Sequence, residues 1–120
     1  MFTAFPDLPE TAVGFTAHGK IRAEDYEETL IPAVEELIER TGRARVLLVL
    51  GPEWDGYSAS AMFDDVKLGL EHRAAWERFA LVSDADWVHL VAKLFGWLVP
   101  GDVRSFPYPE LDEAVDWISG

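Results

Sequence analysis

The sequence predicts an α/β sandwich, a mixed central sheet of about five strands flanked by about four helices. Three observations carry that prediction. Arg45 to Leu50 (RVLLVL) and Phe79 to Val82 are continuous apolar runs, as expected of strands covered on both faces. Around them, apolar residues recur at helical spacing in four stretches, 23–42, 59–72, 86–99 and 110–118. Glycine and proline separate the stretches at Gly42, Gly51-Pro52 and Pro100-Gly101.

Taken in order, Phe2 to Phe5 reads as an edge strand between irregular, proline-bearing segments. Ala12 to Gly19 alternates, with Val13, Phe15 and Ala17 facing inward and His18 on the opposite, solvated side. From Ala23 the spacing turns helical, with Tyr26, Leu30, Val34, Leu37 and Ile38 inside and a run of glutamates outside, stopped by Gly42. Pro32 lacks an amide donor and clashes with the preceding turn, which predicts a kink near Ile31. After the central strand, Gly51 to Ser60 reads as a loop carrying Trp54 and Tyr57. It opens a helix to His72 with Ala59, Met62, Phe63, Val66 and Leu70 as its core stripe. The polar cluster 83–86 suits the cap of the next helix, Asp86 to Val99. Val103 to Phe106 is the last strand, and a terminal helix from Glu110 to Ile118 turns Leu111, Ala114, Val115 and Ile118 inward.

The totals bound the function. With 120 residues, 49% of them hydrophobic, the chain builds one domain over residues 1–120. The absence of cysteine removes disulfides, thiol nucleophiles and thiolate metal sites, and fits a reducing, cytoplasmic setting. A formal charge of −12 repels phosphate, so nucleic acid is not expected as a partner and anionic lipid is disfavoured.

The stretch Asp86 to Val99, DWVHLVAKLFGWLV, stands apart. Its polar or minimal residues Asp86, His89, Lys93 and Gly96 share one narrow strip, and the apolar remainder spans roughly 200°, twice the arc one sheet needs to cover. Either neighbouring elements hide the second flank, or it meets an apolar ligand, a membrane surface or another subunit. The run is too short to cross a bilayer.

Several local patterns occur together: Gly19-Lys20 followed by Asp25-Tyr26 and Pro32, then DVKLGLEH over 65–72. They continue with RFALV over 78–82, Asp84 and Trp87, Arg104-Ser105-Phe106, and Ala114-Val115-Asp116-Trp117. In this order and spacing the chain resembles the SpoIIAA-like branch of the STAS families over nearly its whole length. The resemblance implies a STAS-type sandwich, similar in architecture to CRAL-TRIO lipid carriers, and apolar-ligand or membrane contact through mobile helices. Other STAS proteins are anti-sigma-factor antagonists, switched by phosphorylation of a serine that follows an aspartate. Here DGYSAS over 55–60 lacks that Asp-Ser pair, leaving Ser58 as the candidate phosphosite and, more simply, a helix cap.

No reaction is legible. Loops after buried parallel strands gather ligands, which points to an apolar crevice lined by Trp54, Tyr57, Phe63, Trp87, Leu90, Val91, Leu94 and Trp97 and gated by the helix Asp86 to Val99. Asp65, Lys67 and His72 form a candidate polar site on one helix, although two or three such residues do not make a metal or catalytic centre. Neither metal nor cofactor is expected. The sequence therefore points to a non-catalytic module for an apolar or lipid-like molecule, with peripheral membrane contact as an extension. The alternatives are a protein-interaction module, homodimeric or partner-binding, and an enzyme using Asp65 and His72.

Overall fold

A computed structural model describes residues 1–58, 60, 61, 67, 71–98 and 100–120. In chain order its elements are β1 (Phe2–Ala4), β2 (Val13–Ala17), β3 (Gly19–Ile21), a turn of helix α1 (Ala23–Asp25), a π-helical stretch (Tyr26–Leu30) and α2 (Ile31–Thr41). There follow β4 (Ala44–Leu50), β5 (Trp54–Tyr57), β6 (Trp76–Ser83), α3 (Asp86–Leu98), β7 (Asp102–Phe106) and α4 (Leu111–Ser119). Short 3-10 turns precede β6 and α4.

The main sheet has five strands in the order β1-β2-β4-β6-β7. β1 runs antiparallel to β2, and the remaining pairs are parallel, so the sheet is mixed as expected. At its centre β4 and β6 set Val46 beside Phe79, Leu48 beside Leu81 and Leu50 beside Ser83. Because side chains alternate along a strand, each of these strands feeds two cores. Val46, Leu48, Leu50, Phe79 and Leu81 meet Tyr26, Leu30, Val34, Val88, Ala92 and Phe95 on one face. Leu47, Val49, Ala80 and Val82 meet Phe106, Ala114 and Ile118 on the other.

Pro32 acts as its chemistry requires. It occupies the first turn of α2, where its missing N–H breaks no bond, and the chain before it widens into the π-helical stretch. Gly42 ends α2 in the left-handed region at φ 78°, and its N–H donates to the Ile38 carbonyl at 2.6 Å. Gly101 is fixed by contact instead, since a Cβ there would stand 2.3 Å from the Trp76 carbonyl oxygen.

Two elements, β3 and β5, differ from the sequence reading. The segment 51–60 is not all loop, because β5 pairs in parallel with β3 to form a separate two-stranded sheet. A four-residue strand with Gly56 at φ 111° has the composition of a turn, and its partner lies far back in the chain. The core stripe expected at Ala59, Met62, Phe63, Val66 and Leu70 lies outside the described residues.

At the amino ends of β4 and β6, Glu77 accepts from Arg45 and, at 2.6 Å, from Arg43. Arg78 donates to the Trp117 carbonyl at 2.6 Å and so closes the carboxyl end of α4, where a cation is favoured. The hydrogen bond from Arg45 is the main cause that holds the Glu77 carboxyl below its ordinary value of 4.5. A depressed carboxylate contributes its stability above the unfolded value and loses it as pH falls through the lower folded value. Glu77→Gln is therefore expected to cost about 1 kcal/mol at neutral pH, in urea titrations whose difference from wild type shrinks as pH drops below 4.5.

Candidate functional site

The carboxyl ends of β4 and β6 lie side by side, and the turns that leave them build the site. After Leu50 the chain bends through Gly51-Pro52, with the Trp54 N–H donating to the Gly51 carbonyl at 3.1 Å. After β6, the buried Ser83 hydroxyl accepts the Ala85 N–H at 3.1 Å, and the Val88 N–H closes the first turn of α3 on the Ala85 carbonyl at 3.1 Å. His89 Nε2 lies 3.0 Å from the Ser83 carbonyl, which can only accept, so this nitrogen carries the proton. Asp84 accepts the Tyr108 N–H at 2.9 Å. Between the two turns opens a cleft of about 370 Å³ lined by Leu50, Gly51, Pro52, Trp54, Ser83, Asp84 and Ala85.

Beside it the aromatic residues gather. Ring centroids are 5.4 Å apart for Trp54 and Trp87, 5.6 Å for Trp54 and Tyr57, and 6.5 Å for Tyr57 and Trp87, spacings at which tilted rings attract. Tyr57 continues inward to Tyr26 at 6.0 Å. Beneath this cluster lies an apolar cavity of about 30 Å³, lined by Leu48, Leu50, Tyr57, Leu81, Trp87, Val88 and Val91. That is room for about one water, not for a ligand.

The structure thus brings Trp54, Tyr57, Trp87 and Val91 together and sets Leu90, Leu94 and Trp97 apart from the cavity. These last three are exposed by 60%, 60% and 88%, and Trp87 by 43%. Steps of three, four and three residues place all four within about 80° of arc, on the side of α3 away from buried Val88, Ala92 and Phe95. Trp87 belongs to both groups, so an exposed apolar stripe runs from the aromatic cluster along the helix. Phe63 lies outside the described residues.

The polar candidates have other partners. His72 pairs with Glu35 of α2 at 3.1 Å and Lys67 with Glu71 at 3.8 Å, while Asp65 lies outside the described residues. His18, expected to be solvated, is engaged at both ring nitrogens, by Glu53 at 2.6 Å and Thr3 at 2.8 Å. Both partners are distant in sequence, and the alternation of β2 does not reveal them. Among the described residues no three His, Asp or Glu side chains gather as a metal site would require, and no helix is long and apolar enough to cross a membrane. The cleft also recruits Ser83, Asp84 and Gly51, which the sequence places in the loops after the buried strands, with 83–86 as a helix cap, without naming them as lining residues. A Cβ on Gly51 would stand 2.5 Å from the Tyr108 ring, so that ring seats directly on the backbone there.

The SpoIIAA-like family matches residues 12–119. Among solved structures, the chain is similar to an uncharacterised protein of the DUF3478 family with a SpoIIAA-like fold from Shewanella loihica PV-4. The two are 27% identical with a TM-score of 0.75, over 98% of this chain and 92% of that one. No curated protein matches.

Ser58 accepts the Ala61 N–H at 3.1 Å, the geometry of a helix cap. Ser58→Ala is expected to lower stability by about 1 kcal/mol, and Ser58→Asp, which restores a capping oxygen, to keep most of it in the same thermal melts.

Proposed function

The chain belongs to the SpoIIAA-like family, and from that premise we propose that it is a non-catalytic binding module for an apolar or lipid-like molecule, taken up beside α3. The observation that carries this reading is the stripe Trp87, Leu90, Leu94 and Trp97, turned to solvent and continuous with the Trp54–Tyr57–Trp87 cluster. Single exposed apolar side chains are ordinary, but four aligned on one helix face make a contiguous patch of the kind that meets a ligand, a membrane or a protein.

The chemistry of the patch favours an uncharged partner surface. From Trp87 through Gly101 the chain has no acidic residue, and Lys93 is its one full cation. The cavity of about 30 Å³ under Tyr57, Trp87 and Val91 is too small for an acyl chain. Binding at depth requires α3 to move away from β4, with Trp87 leaving Trp54 and Tyr57. Binding at the surface, including contact with a neutral bilayer, needs only the stripe itself. The pairs His72–Glu35 and Lys67–Glu71 have the form of surface ion pairs, so the reading assigns them no chemistry.

The test is the double variant Leu90→Asp, Leu94→Asp. Both positions are exposed, so the fold should hold within about 0.5 kcal/mol per site. Binding of a fluorescent fatty-acyl probe and sedimentation with phosphatidylcholine vesicles should each fall at least about tenfold, as expected when charge replaces buried apolar area. A double variant that binds both as well as wild type contradicts the reading. If wild type binds neither but loses mass in solution on substitution, the stripe is a protein interface instead.

A further inference from the structure

We propose that the free edge of β7 is a homodimer interface, pairing antiparallel with β7 of a second copy about a two-fold axis through Val103. This does not rest on the binding reading above, because it concerns a different surface. Among the described residues β7 is the last strand of the main sheet and is hydrogen-bonded on one side only, to β6. Its register with β6 runs without a bulge. Exposed edges are often blunted by a bulge, by charged side chains, lysine above all, or by proline, and β7 carries two charges of opposite sign, Asp102 and Arg104. Here prolines stand only outside the strand, at Pro100 and Pro107.

The sequence of the strand is complementary to itself. Asp102, Arg104 and Phe106 share one sheet face, with Asp102 and Arg104 exposed. An antiparallel pair centred on Val103 sets Asp102 of each copy directly opposite Arg104 of the other, two opposite-charge pairs at the spacing where cross-strand pairs attract. Moving the axis onto Asp102 or Arg104 would set like charge against like. An axis on Ser105 would set Arg104 against Phe106 and form no charge pair, so the Val103 register is the one that pairs both charges.

Both charges are ready for that use. The Arg104 guanidinium is held 5.0 Å from the Phe106 ring centroid and 5.3 Å from that of Trp117, which limits the freedom it would lose on pairing. Asp102 forms no ion pair among the described residues. On the opposite face, α3 sets Gly96 over Val103, where an added Cβ would lie at an ordinary 3.7 Å.

The experiment is a charge swap read by sedimentation equilibrium across the micromolar range. Wild type should be a dimer. Arg104→Asp and Asp102→Arg alone should each weaken self-association by about tenfold or more, since both cross-strand pairs turn from attractive to repulsive. Asp102→Arg leaves the Arg104 stacking in place, so its effect cannot be laid to loss of that contact. An equimolar mixture of the two variants should form a heterodimer, because opposite charges face each other again. A wild type that is monomeric throughout, a dimer that survives Arg104→Asp, or a mixture that stays monomeric each overturns the proposal.

Discussion

The structure depends on the parallel pairing of β4 with β6. Two neighbouring strands that are apolar on both faces cannot be left half covered, so the chain must supply helices above and below them. Leu47 and Val49 demand α4, and Val46, Leu48 and Leu50 demand the layer that includes α2 and α3. The same pairing brings the carboxyl ends of both strands to one edge, and the turns after Leu50 and Ser83 then face each other across a cleft. Site geometry follows from core geometry, because the residues that close the sheet also aim its loops.

α3 shows where covering reaches its limit. It lies over β6 and the edge strand β7, and among its described residues Val88, Ala92 and Phe95 are the buried ones. The helix nevertheless carries apolar residues around most of its circumference, and the surplus is the stripe from Trp87 to Trp97. Part of that surplus is anchored, since Trp87 packs on Trp54 and Tyr57, and these rings lead through Tyr26 to Phe2 in the interior. An apolar approach to the stripe would therefore be felt at the aromatic cluster.

Much of this was legible in the sequence, for physical reasons that also explain what was not. RVLLVL could only be a central strand, and Pro32 and Gly42 marked the widened turn and the stop of one helix because their backbone chemistry leaves few options. The width of the apolar arc over 86–99 left two outcomes open, a second flank hidden by neighbouring elements or one turned toward a partner. It did not say which residues would be the surplus, because that depends on where the helix sits on the sheet. Leu90, Leu94 and Trp97 are set apart from Val91, which lines the cavity with Leu48 and Leu50, residues some forty positions earlier. β5 was hidden for the same reason. Its partner β3 is distant, and the side-chain partners of His18 and His72 are distant as well.

The central claim is that the exposed flank of α3 exists to meet an apolar molecule. Native mass spectrometry of the full chain purified without detergent, followed by organic extraction, tests it most directly. The account predicts a stoichiometric lipid-like mass that dissociates on extraction and is absent from a chain with Leu90 and Leu94 replaced by aspartate. A wild-type chain that is ligand-free as purified and takes up no fatty-acyl molecule when one is added would contradict it.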